Sequence, residues 1–149
     1  MLAAPCLLIA AEEGPPLPEK ADTPYLVHAT TLIPTEQAVA SEEQVKKELY
    51  YIVPGAQSPV RTPLALPEFV YQAESVDPRN FRLYRLESEG GRRQLLFQKK
   101  DKILAKPIYL DVFPVEDQLY RIRVDRGLEQ GEYCLSPDGS NDVFCFAVQ

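Results

Sequence analysis

Fourteen prolines are spread from Pro5 to Pro137 along a chain of 149 residues. Each lacks an N–H for a hydrogen-bond ladder and fixes its own φ, so proline is excluded from helix interiors and from the middle of central strands. A chain with this spacing is confined to short elements, edge strands and stiff connections. The aromatic content says which elements these are. Eight Tyr and six Phe, with no Trp, favour strands over helices. Between the prolines from Pro67 onward, apolar residues alternate with polar ones. Phe69, Tyr71 and Ala73 fall on one face of a first segment. Phe81, Leu83 and Arg85 oppose Arg82, Tyr84 and Leu86 in a second. Gly90-Gly91 marks a hairpin turn, and "QLLFQK" returns from it. Further on, Ile108, Leu110 and Val112 share a side, and Leu119, Arg121 and Arg123 oppose Tyr120, Ile122 and Val124. The last two strands are predicted over about Glu132 to Ser136 and Val143 to Val148. Short alternating strands at this spacing predict an all-β fold, an antiparallel Greek-key (Ig-like) β-sandwich.

Upstream of Pro67 the pattern is less regular. "PYLVHATTLI" is rich in β-branched residues and is expected as one strand, Tyr25 to Ile33. Ser41 followed by Gln44 resembles a capping box, and Val45 and Leu49 lie four apart, which predicts a short helix over Ser41 to Leu49. Tyr50 to Val53 reads as strand, Pro54-Gly55 as a turn, and a short edge strand through Val60 is expected between Pro59 and Pro63.

The first 24 residues differ in character. An apolar run from Leu2 to Ala11 is followed by an acidic segment with Pro15, Pro16, Pro18 and Pro24. Ten residues of helix rise about 15 Å, half the roughly 30 Å of a bilayer core, so the run is no transmembrane span. It fits the apolar region of a secretory leader cut after Ala11, although no Lys or Arg precedes it. Residues 1–24 are accordingly expected to be leader and extended Pro-rich segment, unpacked against the core, with the sandwich domain at 25–149. Residues 1–60 carry a net charge of −5 and residues 61–149 of −1, so the acidity belongs to the N-terminal third. A total of −6 offers no surplus of Lys and Arg to displace counterions from a nucleic acid.

Two features stand near the C-terminus. Leu128-x-x-Gly131-x-Tyr133 has the spacing of the tyrosine corner of Greek-key sandwiches, in which a Tyr near the start of the penultimate strand sends its hydroxyl back to upstream backbone. The leucine plugs the core and the glycine permits a tight entry; the plain alternative is an ordinary strand tyrosine. Next, a hairpin looping over Pro137 to Asp142 sets Cys134 opposite Cys145, with Leu135 opposite Phe144. Opposed Cβ atoms in an antiparallel pair are about 4.5–5.5 Å apart, so a disulfide can form with adjustment. Two small buried thiols are the alternative. Without Cys6 in the leader the cysteine count is even, which suits an oxidising compartment.

Other chemistries find little support. Zinc needs more ligands than two cysteines and one distant histidine, His28. No Gly-x-Ser-x-Gly elbow accompanies that histidine. Asp138, Ser140 and Asp142 alternate like half of a calcium loop, but the glycine comes too early and no terminal Glu follows; the same residues are good turn formers. Arg82, Arg85, Arg92 and Arg93, with Lys99, Lys100 and Lys102, are diluted by Glu87, Glu89 and Asp101. Cross-strand ion pairs on a solvated face are the expected arrangement.

The segments "TPLALPEFVY…FRLYRLESEGGRRQLLF" and "LEQGEYCLSPDGSNDVFCFAV" resemble a group of uncharacterised secreted β-sandwich domains common in acidobacterial proteins, over about residues 50–149. Ala147 stands where a glycine often occurs in their endings. The resemblance implies fold and export, and carries no activity. The expectation for function is a non-enzymatic, periplasmic or extracellular interaction or accessory domain without a cofactor or metal, working with a protein partner such as a membrane complex. A carbohydrate-binding module is the rival.

Overall fold

The computed structural model describes residues 17–149. The fold is all-β, with antiparallel sheets packed as a sandwich, one of them strongly curled. The strands are β1 (Tyr25–His28), β2 (Thr31–Pro34), β3 (Glu36–Val39), β4 (Ser41–Val45), β5 (Glu48–Pro54), β6 (Arg61–Thr62), β7 (Glu68–Gln72), β8 (Phe81–Glu89), β9 (Arg92–Lys99), β10 (Lys102–Ile103), β11 (Leu110–Glu116), β12 (Leu119–Val124), β13 (Gly131–Pro137) and β14 (Asp142–Val148), with one 3-10 turn at Pro78–Asn80. A five-stranded sheet runs β11-β12-β7-β1-β2. A nine-stranded sheet follows the path β3-β14-β13-β8-β9-β5-β4, with β10 beside β9 and β6 beside β14. The short β6 runs parallel to β14, the one parallel pairing among the described residues.

The larger sheet curls because its two ends are the same piece of chain. β3 pairs with β14 and β4 pairs with β5, yet only Ala40 separates β3 from β4. The Ala40 N–H leaves the ladder and donates to the Asn141 carbonyl at 2.8 Å. The segment Glu36–Val45 thus bends once and closes β5, β9, β8, β13 and β14 into a small barrel.

Strands β8, β13 and β14 consequently have two buried faces. Alternation sends Leu83, Leu135, Phe144, Tyr133 and Phe146 outward onto the five-stranded sheet, where they meet Leu26, Phe69, Tyr71 and Ile122 in the larger core. The intervening residues Leu86, Cys134, Val143 and Cys145 point into the barrel and pack with Ala40 and Val53. This explains why β14 reads as a nearly unbroken apolar run: every residue from Val143 to Val148 is buried. The sandwich core is aromatic. Edge-to-face pairs join Phe69 to Phe146 at 5.2 Å and Tyr71 to Phe81 at 5.3 Å, and Tyr133 stacks on Phe146 at 5.7 Å. Full burial of such a side chain contributes about 1.5–3 kcal/mol.

Three sequence expectations are corrected. The strand expected over Tyr25–Ile33 is a hairpin, β1–β2, turned by Ala29-Thr30 with Ala29 at φ 57°. The helix expected over Ser41–Leu49 is likewise a hairpin, β4–β5, turned at Lys46-Lys47 with Lys46 at φ 57°. In both, a residue with a Cβ adopts the left-handed conformation that usually marks Gly or Asn; pairing of both arms overrides the local preference. β4 also hides its identity because its residues are exposed or only half-buried, so no apolar alternation announces it. Third, packing starts before Tyr25. Thr23 and Pro24 are buried, and the Pro24 carbonyl accepts from the Thr35 hydroxyl at 2.8 Å. The Asp22 carboxylate accepts from the backbone N–H groups of Glu74, Ser75 and Val76 at 2.8–3.1 Å. The extended segment therefore joins the domain near Lys20. The apolar run Leu2–Ala11 and its cleavage point lie outside the described residues. No helix among the described residues is long and apolar enough to cross a membrane.

Candidate functional site: the barrel mouth

The interior of the small barrel divides into a charged floor, an apolar waist and an open mouth. The floor is made by Arg93. In β9 it stands opposite Val53 of β5, a register that turns its side chain inward, and it is 1 % exposed. Its guanidinium donates to both oxygens of Glu36, at 2.7 and 3.0 Å, and to the carbonyls of Pro54 and Gly55 at 2.6 and 2.9 Å. Glu132 of β13 lies 3.9 Å away and accepts from the Ser58 N–H at 2.8 Å. Burial pushes the Glu36 carboxyl up, but hydrogen bonds from Arg93 and Ser58 and the charge of Arg93 outweigh it and hold this carboxyl below the usual range. These four hydrogen bonds use the fixed planar fork of the guanidinium, which a lysine could not reproduce.

This arrangement corrects the reading of the arginine-rich hairpin. Arg82, Arg85 and Arg92 do pair at the surface, with Asp138 at 3.9 Å, Glu129 at 2.8 Å and Glu43 at 3.0 Å. Arg93 instead ties three strands from within. One signal in the sequence went unused: Arg93 alternates with Leu95 and Phe97, so the parity that turns those two half-buried side chains toward the barrel turns it inward as well.

Above the floor, Cys134 and Cys145 are directly opposed across β13 and β14 and joined by a disulfide, Cα–Cα 4.0 Å. Both are buried. Beside Val53, Leu86 and Val143, Cys134 lines a cavity of about 300 Å³ that opens at the end of the barrel. Three aromatic rings, Tyr51, Tyr84 and Phe97, form the upper wall. Tyr51 and Phe97 meet edge to face, centroids 5.2 Å apart and planes at 87°. At the rim stand Glu42, Arg82, Asp138 and Asn141. Glu42 is directly opposite Tyr51 in the β4–β5 register and accepts from the Asn141 amide at 3.4 Å. Burial raises the Tyr51 phenol, as does the nearby Glu42 charge; Tyr84 is raised by burial and by Asp138, partly offset by Arg82. An apolar cavity of this size with a few convergent polar groups has the form of a small-ligand site. Of its lining residues, sequence weighed Asp138 and Ser140 for a calcium loop and Arg82 within the basic hairpin and set both aside, keeping only Cys134 as a site candidate.

The tyrosine corner lies elsewhere, on the outer face of β13. The Tyr133 hydroxyl donates to the Glu129 carbonyl at 2.7 Å, and Leu128 is buried in the sandwich core. Gly131 plays a different part from that expected. Its φ is not positive; what it supplies is space. A Cβ there would sit 3.0 Å from the Arg85 Nε and Nη2 atoms. Arg85 crosses the bare glycine, donates to the Gln130 carbonyl at 2.9 Å and lies over the Tyr133 ring at 5.9 Å. His28 is exposed at the β1–β2 turn and does not line the mouth. In the Asp138–Asp142 loop the Ser136 hydroxyl holds the carbonyls of Ser140 and Asp142 at 3.2 and 2.9 Å, so the loop at the rim is internally stapled. No cluster of three His, Cys, Asp or Glu side chains that could share a metal occurs among the described residues.

Comparison with known proteins returns no match of any kind: no family model fits the chain, and no curated protein or solved structure is significantly similar to it.

Proposed function

We propose that this protein is an exported, non-enzymatic binding domain that serves a larger, membrane-associated assembly as an accessory subunit. The observation that carries the reading is the barrel mouth: a cavity of about 300 Å³ with apolar walls and a polar rim. Around it the ionisable groups of the barrel floor neutralise one another instead of standing as separate acid and base. The Cys134–Cys145 bond supports export, because disulfides persist in oxidising compartments. The tyrosine corner supports an Ig-like Greek-key ancestry for the sandwich, in line with the resemblance to secreted sandwich domains. Affinity purification from native host membranes tests the assembly. Recovery of the protein in a defined complex is the expected result, and recovery only as a free monomer counts against it.

A second reading, a carbohydrate-binding module, has its own observation. Tyr109 and Phe113 are 62 % and 41 % exposed. Phe113 lies on the outward side of β11, opposite Leu110 and Val112, and Tyr109 immediately precedes that strand. Exposed aromatic rings on one face suit sugar stacking. Retention of the free protein on an immobilised polysaccharide, lost in Tyr109→Ala, would favour this reading.

A further inference from the structure

We propose that the barrel mouth binds a small organic cation, an ammonium bearing short alkyl groups on an apolar body. The inference rests on the reading of the mouth as a ligand site and adds the chemistry of the ligand. Three observations converge. Tyr51, Tyr84 and Phe97 present rings around one opening, and the perpendicular Tyr51–Phe97 pair forms a corner. The negative face of an aromatic ring attracts a cation, most strongly where water is excluded. The rim charge is unbalanced: Arg82 and Asp138 face each other at 3.9 Å, whereas Glu42 has the neutral Asn141 amide at 3.4 Å as its partner. The mouth therefore carries one uncompensated negative charge, held by register directly across from Tyr51. Third, Tyr51 and Tyr84 bring two phenol hydroxyls to the lining of the opening, polar groups for a ligand's own water.

Size and hydration narrow the class. The cavity of about 300 Å³ is roughly twice the ~150 Å³ of an apolar cavity that holds benzene, so an aromatic or branched body with an attached ammonium fits. A primary ammonium is strongly hydrated and loses more on entering an apolar chamber than an alkylated one does. A carboxylate would meet Glu42 and the ring faces with the wrong sign.

Three probes of similar shape test this: benzyltrimethylammonium, its neutral isostere neopentylbenzene, and 3-phenylpropionate. Each is titrated into the folded protein and followed by the methyl resonances of Val53, Leu86 and Val143. Benzyltrimethylammonium is expected to bind saturably, with neopentylbenzene weaker by roughly three- to thirtyfold and the anion weaker still. Glu42→Gln, an exposed substitution that keeps volume, should weaken the cation severalfold and leave the neutral probe unchanged. Phe97→Leu should weaken the cation too, with thermal unfolding reporting that the barrel is intact. Equal binding of cation and isostere, or indifference of the cation to Glu42→Gln, overturns the proposal while leaving a ligand-binding mouth in place. Failure of all three probes overturns it together with the small-ligand reading, and recovery of the native complex then decides the accessory role separately.

Discussion

The Arg93 guanidinium grips both oxygens of Glu36 from across the barrel, at 2.7 and 3.0 Å, while remaining 1 % exposed. One bidentate contact joins β9 to β3, strands that are not neighbours in the sheet. Removing Arg93 leaves the buried Glu132 and the half-buried Glu36 without their shared cation. Arg93→Met is therefore expected to cost roughly 3–5 kcal/mol. The double substitution Arg93→Met/Glu36→Gln should recover part of that loss. Urea unfolding of the two variants checks the difference.

Acid should loosen the same contact. The Glu36 and Asp22 carboxyls both lie below their usual range: at each, burial opposes the shift, and hydrogen bonds from Arg93 and Ser58, or from the backbone of residues 74–76, win. A carboxyl depressed in the folded state stabilises the protein above its unfolded value, about 4. That contribution fades as pH falls through the folded values. Stability should thus fall below about pH 4–5, with a shallower fall in Glu36→Gln and in Asp22→Asn. Chemical unfolding across pH 2–7, referenced to each variant's own neutral value, measures the slopes.

Asp22 is also a clamp on the loop after β7. Its carboxylate takes three backbone N–H groups at 2.8–3.1 Å and faces the Tyr71 hydroxyl at 3.4 Å. Asp22→Ala should cost about 1–3 kcal/mol by leaving these donors without their acceptor. Faster amide exchange at Glu74, Ser75 and Val76 would place the loss there. Unchanged exchange would contradict it.

The disulfide closes a short loop, its cysteines 11 positions apart in sequence. Loop-closure entropy for a loop of this length contributes about 2–3 kcal/mol. The Cys134→Ala/Cys145→Ala variant should lose about that much, and dithiothreitol should lower the thermal midpoint of the parent protein but not of the variant.

At the tyrosine corner, Tyr133→Phe removes the donor to the Glu129 carbonyl and should cost about 1 kcal/mol. Gly131→Ala is expected to matter less, because the atoms in its way belong to Arg85, an exposed side chain that can swing aside. Paired denaturation curves rank the two.

Much of this fold was legible because strand parity is an arithmetic property. Counting back from the Pro137–Asp142 loop sets Cys134 against Cys145 and Leu135 against Phe144, and the register is so. The sandwich-facing residues Phe69, Tyr71, Phe81 and Leu83 follow from the same period of two. What parity does not encode is curvature. Nothing local to Glu36–Val45 shows that one strand serves two neighbours, so neither the barrel nor its mouth could be anticipated. The Ala29 and Lys46 turns were missed because their conformation is imposed by the strands they join. Arg93 was missed because its charge argues for the surface, and the carboxylates that reverse the argument come from residues 57 positions upstream and, in Glu132, from β13.

The bend at Ala40 has a mechanical side. A sheet usually ends in two strands whose outward N–H and C=O groups can recruit another chain, and proteins guard such edges. Here β3 and β4, the two ends of the larger sheet's path, are joined through Ala40, so the ring opens only where a ladder between neighbouring strands parts. Cutting the chain at Ala40 and joining the termini elsewhere would keep every residue and every ladder. It would turn a clasp into two loose flaps, each free to seek a partner in another molecule.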